Sequence, residues 1–332
     1  MSRPVLLCPL LVLVGCCAVF TTGATTATGE TYLGQQTPGT TPELFHPGTI
    51  STGHHEICLT IAPSGGELIL SRSDQTFFSV LLRYGVGDDG LTEPSLPPFA
   101  GRYRDAFPSY SPDGSRLFFN SNRPLEPGGA PIDGNHFWVV ERQGDGWSAP
   151  THLGPQVNAV QHQATPSVAS DGTLYFHAWS EEGLGASDLF HSELVDGSYG
   201  PPRNLGPSIN ASGREFHPHI APDESFLLFD ASDREDGFGS NDLYLARRLD
   251  DGSWAPAVNL GATVNTPFSE MRPRLSPDGR FLFFTSDRFR RRAELPVGQT
   301  IVRIEAMLDG PTNGSQDIYW VDAGFLAEIR GE

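Results

Sequence analysis

A segment built around a Ser-Pro-Asp-Gly turn recurs along this chain and limits its fold more than any other feature. Phe107-Pro108-Ser109-Tyr110-Ser111-Pro112-Asp113-Gly114-Ser115-Arg116-Leu117-Phe118-Phe119-Asn120-Ser121 returns as Met271-Arg272-Pro273-Arg274-Leu275-Ser276-Pro277-Asp278-Gly279-Arg280-Phe281-Leu282-Phe283-Phe284-Thr285-Ser286. Looser copies occupy 58–70, 165–177 and 217–229. The turn falls at positions 63, 112, 170, 222 and 277, at intervals of 49, 58, 52 and 55 residues. A period of this size marks stacked supersecondary units, none of which buries its apolar face alone.

Each copy starts with an apolar, alternating segment, crosses a tight turn and continues as a Leu- and Phe-rich strand. A third strand follows in the pattern (Ser/Ala)-x-Asp-(Leu/Ile)-(Phe/Tyr), at Ala186-Ser187-Asp188, at Ser240-Asn241-Asp242 and at Ser315-Gln316-Asp317. A fourth element runs from Gly-x-(Trp/Tyr) to Leu-Gly-x-x-(Val/Ile)-Asn, ending at Asn158, Asn210 and Asn265. Four strands per repeat make the blade of a β-propeller, and 37 Gly with 28 Pro leave little room for long helices. The fold expected is all-β, a five-bladed propeller over 42–322, with six blades as the alternative. The last copy lacks a fourth strand, and Pro42-Glu43-Leu44-Phe45 precedes the first copy as a fourth strand would, so the N-terminal strand is expected to complete blade five.

The repeats, above all Ser111–Gly114 and Ser276–Gly279, resemble those of bacterial TolB-type propellers. The resemblance spans about residues 40–322 and implies a rigid binding or interaction module of the cell envelope. A short tail or helix is expected over 323–332.

The N-terminus fits export. Arg3 precedes an apolar run, Val5 to Val14, too short to span a bilayer, and no acidic residue occurs before Glu30. Leu13-Val14-Gly15-Cys16 resembles a bacterial lipobox, which implies a lipid on Cys16; ordinary cleavage near Ala24 is the alternative. Residues 1–24 are thus the export region and 25–41 a flexible Thr-rich tether, giving a lipid-anchored or secreted envelope protein. The four cysteines imply no disulfide framework. A net charge of −18 repels nucleic acid and anionic lipid, so the partner expected is an envelope protein or a glycan, with membrane contact only through the anchor and a monomeric propeller.

Seven residues before each turn position stand Glu56, Asp105, Gln163, Glu215 and Glu270. Such a ring at the channel mouth either accepts backbone hydrogen bonds between blades or binds a cation or polyol. Two and four residues further on, blades four and five depart from small or apolar types: His217 and His219, then Arg272 and Arg274. His-x-His suits a divalent metal such as calcium or manganese, with Glu215 as third ligand or base and His55 or His162 within reach, and the two arginines suit an anionic substrate. This His-x-His beside arginines is similar to oligogalacturonide lyases, which implies the alternative function: a metal-assisted lyase or glycosidase acting on acidic sugars, with Glu215, Arg272 and Arg274 as catalytic candidates. Asp105, Glu215 and Glu270 are the carboxylates a glycosidase would draw on. No Gly-x-Ser-x-Gly elbow, Walker loop, His-Glu-x-x-His or Cys-x-x-Cys occurs. Arg288, Arg290, Arg291 and Arg292 form a basic cluster on the insertion 289–314, either a solvated loop or a docking contact for an acidic partner or glycan.

Overall fold

The computed structural model of the chain describes residues 29–76, 78–181, 183–289, 298 and 300–331. The segment expected as an export region, with Cys16, and Arg290, Arg291 and Arg292 of the basic cluster lie outside the described residues.

Five antiparallel sheets form a five-bladed propeller rather than the six-bladed alternative. From the innermost strand outward, blade one runs His55–Ile61, Glu67–Ser73, Ser79–Gly87 and Gly90–Leu91. Blade two runs Asp105–Tyr110, Arg116–Ser121 and His136–Gln143, with Gly146–Trp147 and Thr151–His152 both on its third strand. Blade three runs Gln161–Val168, Leu174–Trp179, Asp188–Ser192 and Arg203–Asn204, and blade four Arg214–Ile220, Phe226–Ser232, Asp242–Arg247 and Val258–Asn259. Blade five has Glu270–Leu275, Phe281–Ser286 and Asp317–Asp322, and takes Glu43–Leu44 from the other end of the chain as its outer strand. Leu44 stands opposite Tyr319 and Glu43 opposite Trp320, so the expected closure forms.

Each sheet is covered on both faces, so its second strand reads as an apolar run rather than an alternation. Leu117 and Phe119 pack toward blade one and Phe118 toward blade three, all fully buried. One apolar cluster fills each of the five junctions between blades; Phe45, Ile50, Leu59, Phe283 and Trp320 fill the one that closes the ring. The asparagine ending the repeat clamps the third strand: Asn210 and Asn265 each accept the N–H and donate to the C=O of Leu189 and Leu243. Ser51 does the same for Ile318 in the closing blade.

Two short elements flank the ring. Within the stretch expected as a flexible tether, Thr31–Tyr32 and Gln35–Gln36 form a hairpin. Tyr32 packs its ring, tilted by 52°, 4.9 Å from that of Phe281, and Gln35 donates to the Leu44 carbonyl, fastening this hairpin beside the closing strand. At the other end, Leu326–Arg330 forms a helix with Leu326 buried between blades four and five. The insertion of blade five carries the helix Ile301–Leu308, capped by the Thr300 hydroxyl.

Candidate functional site

Every acid of the expected ring is fully buried, and each is closed by partners from its own blade. Asp105 pairs with Arg123 at 2.7 Å, Glu215 with Arg234 at 2.8 Å, Glu270 with Arg288 at 3.0 Å and Glu56 with Arg72 at 3.0 Å. Glu56 and Glu270 also accept from the backbone N–H and hydroxyl of Thr52 and Thr266. Burial pushes the carboxyls of Glu56, Asp105 and Glu215 up, and the arginine beside each pulls back down. Blade three holds an amide, Gln163, and eighteen positions on, where blades two and five have Arg123 and Arg288, it has Glu181. The acid and its arginine are thus present together or absent together. Arg288, grouped by sequence with the basic cluster, is one of these partners.

The innermost strands carry a second repeated device. All five slip register just past the ring position, and Phe107, Thr165, His217 and Arg272 adopt positive φ there, at 54°, 59°, 49° and 55°. A polar group on the second strand of the preceding blade accepts the bulged N–H: Asn120 for Thr165, His177 for His217 and Asp230 for Arg272. His177 and Asp230 escaped the sequence reading, although a polar residue seven or eight places beyond each turn position, within an apolar strand, marks them.

The bulge gives the two expected metal ligands different neighbours. His217 Nδ1 lies 2.7 Å from Asp230 Oδ1, and its ring centroid is 4.9 Å from that of His177. His219 Nε2 instead accepts the Leu275 N–H, which leaves the ring proton on Nδ1. Burial lowers both imidazoles, His219 to about 3, so His219 is neutral at physiological pH. Among the described residues no group of three or more His, Cys, Asp or Glu is placed to hold a metal ion. His55 and His162 line separate cavities of about 320 and 450 Å³, the first shared with Arg272 and the second with His177.

On the face of the turns, the channel opens into a cavity of about 510 Å³. Thr60, Ser109, Ser167, His219 and Arg274, one residue from each blade at one repeat position, all line it. Arg274 is 4% exposed. Its Nη1 donates to the carbonyls of Pro218 and Pro273, whereas Nε and Nη2 are buried with no partner among the described residues. Thr60 Oγ1 accepts the Tyr110 N–H and Ser167 Oγ the Ile220 N–H, which leaves both hydroxyl protons to be donated elsewhere.

No family model and no curated protein sequence matches the chain. Solved structures do. A structure described as a BT0996 RGII complex is 9% identical, with a TM-score of 0.53 over 84% of this chain and 91% of that one. One described as a glycoside hydrolase is 8% identical, with a TM-score of 0.51 over the same shares, 84% and 91%. A putative TolB from Agrobacterium tumefaciens is 16% identical over 80% of this chain and 90% of that one, with a TM-score of 0.47. At these identities the likeness is one of fold.

Proposed function

We propose that this chain is an exported binding propeller of the cell envelope that takes a protein or glycan ligand into the turn-face mouth of its axial channel. One observation carries the reading: all five blades send a side chain from the same repeat position into a single cavity of about 510 Å³, a volume typical of ligand sites. The carboxylates that an acid–base mechanism would use speak for binding rather than turnover, because Asp105, Glu215 and Glu270 are each already held by an arginine. A glycoside hydrolase among the similar folds indicates that the architecture accommodates saccharides, and fold alone does not choose a function.

The test is retention of envelope glycans and peptides on the immobilised full chain, with the products of each bound glycan analysed afterwards. Retention that Ser109→Leu abolishes by filling the cavity, with the glycan recovered intact, is the expected result. Cleaved glycan would move the chain to the lyase or glycosidase reading, and retention unaffected by Ser109→Leu would place the binding surface elsewhere.

A further inference from the structure

Four of the five tryptophans carry a guanidinium or an aromatic ring against the indole: Trp138 meets Arg123, Trp147 meets Arg142, Trp254 meets Arg248 and Trp320 meets Phe45. Trp179 is half-buried and has no such partner among the described residues. Its place in the repeat is also its own. It pairs with Gln161 at the head of the innermost strand of blade three, where blades one and four set Ser73 and Ser232 opposite His55 and Arg214. The strand it faces departs from the repeat as well: it slips register a second time, between Gln161 and Ala164, and His162 takes a φ of 54° there. Bulges re-aim side chains, and a residue in a disfavoured conformation persists only where its surroundings hold it.

Both departures line one cavity of about 450 Å³ between blades three and four, at the end of the blades away from the turns. Trp179 and Phe216 give it aromatic walls, and His177, 8% exposed, supplies a donor. His177 Nδ1 accepts the bulged His217 N–H, so the ring proton sits on Nε2, which retains exposed surface and has no acceptor among the described residues. Burial keeps this imidazole neutral. Gln161 and His162 are exposed at the opening.

These groups choose among ligands. No carboxylate lines the cavity to meet a cation, and the one charged lining residue, Arg214, is exposed, where pairing with an anion contributes little. A wholly apolar ligand would cover the His177 N–H without giving it an acceptor. A neutral ligand with a flat C–H face and oxygens along its edge meets both demands.

We infer that this cavity is a second ligand site, for a neutral pyranose: the sugar ring lies against Trp179, one of its oxygens accepts from His177 Nε2, and Gln161 and His162 bond its outer hydroxyls. The site lies on the opposite face of the propeller from the turn-face cavity and does not depend on it.

The experiment is fluorescence and calorimetric titration of the full chain with cellobiose, maltose, lactose and diacetylchitobiose, with indole as an aromatic control. It is repeated on Trp179→Ala, Trp179→Phe, Ala186→Phe and Ser109→Leu. At least one of the four disaccharides should bind the unaltered protein, weaken about tenfold or more in Trp179→Ala and recover in part in Trp179→Phe. Binding should be lost in Ala186→Phe, which fills the cavity from an exposed position, and unchanged in Ser109→Leu. If Trp179→Ala does not fold, Ala186→Phe decides the matter. Failure of all four sugars to bind, binding that Trp179→Ala or Ala186→Phe leaves unchanged, or a response to indole alone overturns the inference and leaves the reading of the turn-face mouth untouched. Sugar binding lost in Ser109→Leu and insensitive to Trp179→Ala overturns it in favour of that mouth.

Discussion

Arg123 Nη2 lies 2.7 Å from Oδ1 of Asp105, with the arginine side chain 8% exposed and the carboxylate fully buried. Neither charge has water to fall back on, so removing one leaves the other stranded. Arg123→Met should cost about 3–5 kcal/mol of unfolding free energy. Asp105→Asn combined with it should recover much of that loss, because the pair is then absent as a unit, as in blade three. Equilibrium denaturation of both variants checks this; equal losses in the single and double variants would contradict it.

Asp317 gives the fold a pH dependence. It is fully buried, its Oδ1 has no partner among the described residues, and burial, with the Glu56 charge adding, pushes its carboxyl up to about 7 against a single opposing bond from the Thr312 N–H. A folded value above the unfolded one means the folded state holds the proton more tightly. The contribution is therefore fully present below the unfolded value of about 4 and is lost as pH rises through about 7. Asp317→Asn should melt at a higher temperature than the unaltered protein at pH 8, and that advantage should fade toward pH 4. An advantage independent of pH would show that Asp317 does not titrate in this range.

Metal dependence separates the two functional readings. His217 Nδ1 faces Asp230 and His219 Nε2 takes the Leu275 N–H, so each imidazole already serves the protein through one nitrogen. The melting temperature should be unchanged by a chelator and by added calcium, manganese or zinc. A ligand of the folded state raises stability by mass action, so a shift that disappears in both His217→Gln and His219→Gln would establish the metal site instead.

The closing strand should carry stability out of proportion to its two paired residues. Phe45 is fully buried, with ring centroids of Phe283 and Trp320 at 5.0 and 5.1 Å. Phe45→Ala should cost about 3–5 kcal/mol and expose the outer edge of Asp317–Asp322 to protease before any other strand. Digestion starting in blade two or three would show that the ring opens elsewhere.

The architecture was legible because its signals repeat: the turn at 112 and 277, and the missing fourth strand of blade five matched by Glu43–Leu44. The N-terminal hairpin was not, since Tyr32 and Leu33 are the only sizeable apolar residues in a Thr-, Gly- and Gln-rich stretch, and their packing on Phe281 and Trp320 depends on the finished ring. The ring acids were legible as a pattern, whereas their arginines stand sixteen to nineteen residues away, past a turn and a strand, and show as partners only when the blade is folded. His217 and His219 read as one ligand pair because plain strand alternation puts i and i+2 on one face. The bulge at His217 breaks that alternation, and no local sequence cue announces a positive φ at a histidine.

The clamp between Ser51 and Ile318 joins residues 267 positions apart. During synthesis the first strand needed for the ring emerges at the start and waits for almost the whole chain before it has anything to pair with. A copy broken off before residue 318 would leave Phe45 and Ile50 uncovered and every blade in an open row. The last blade and the first therefore become stable together, and the ring stays open until the strand that holds Ile318 is in place.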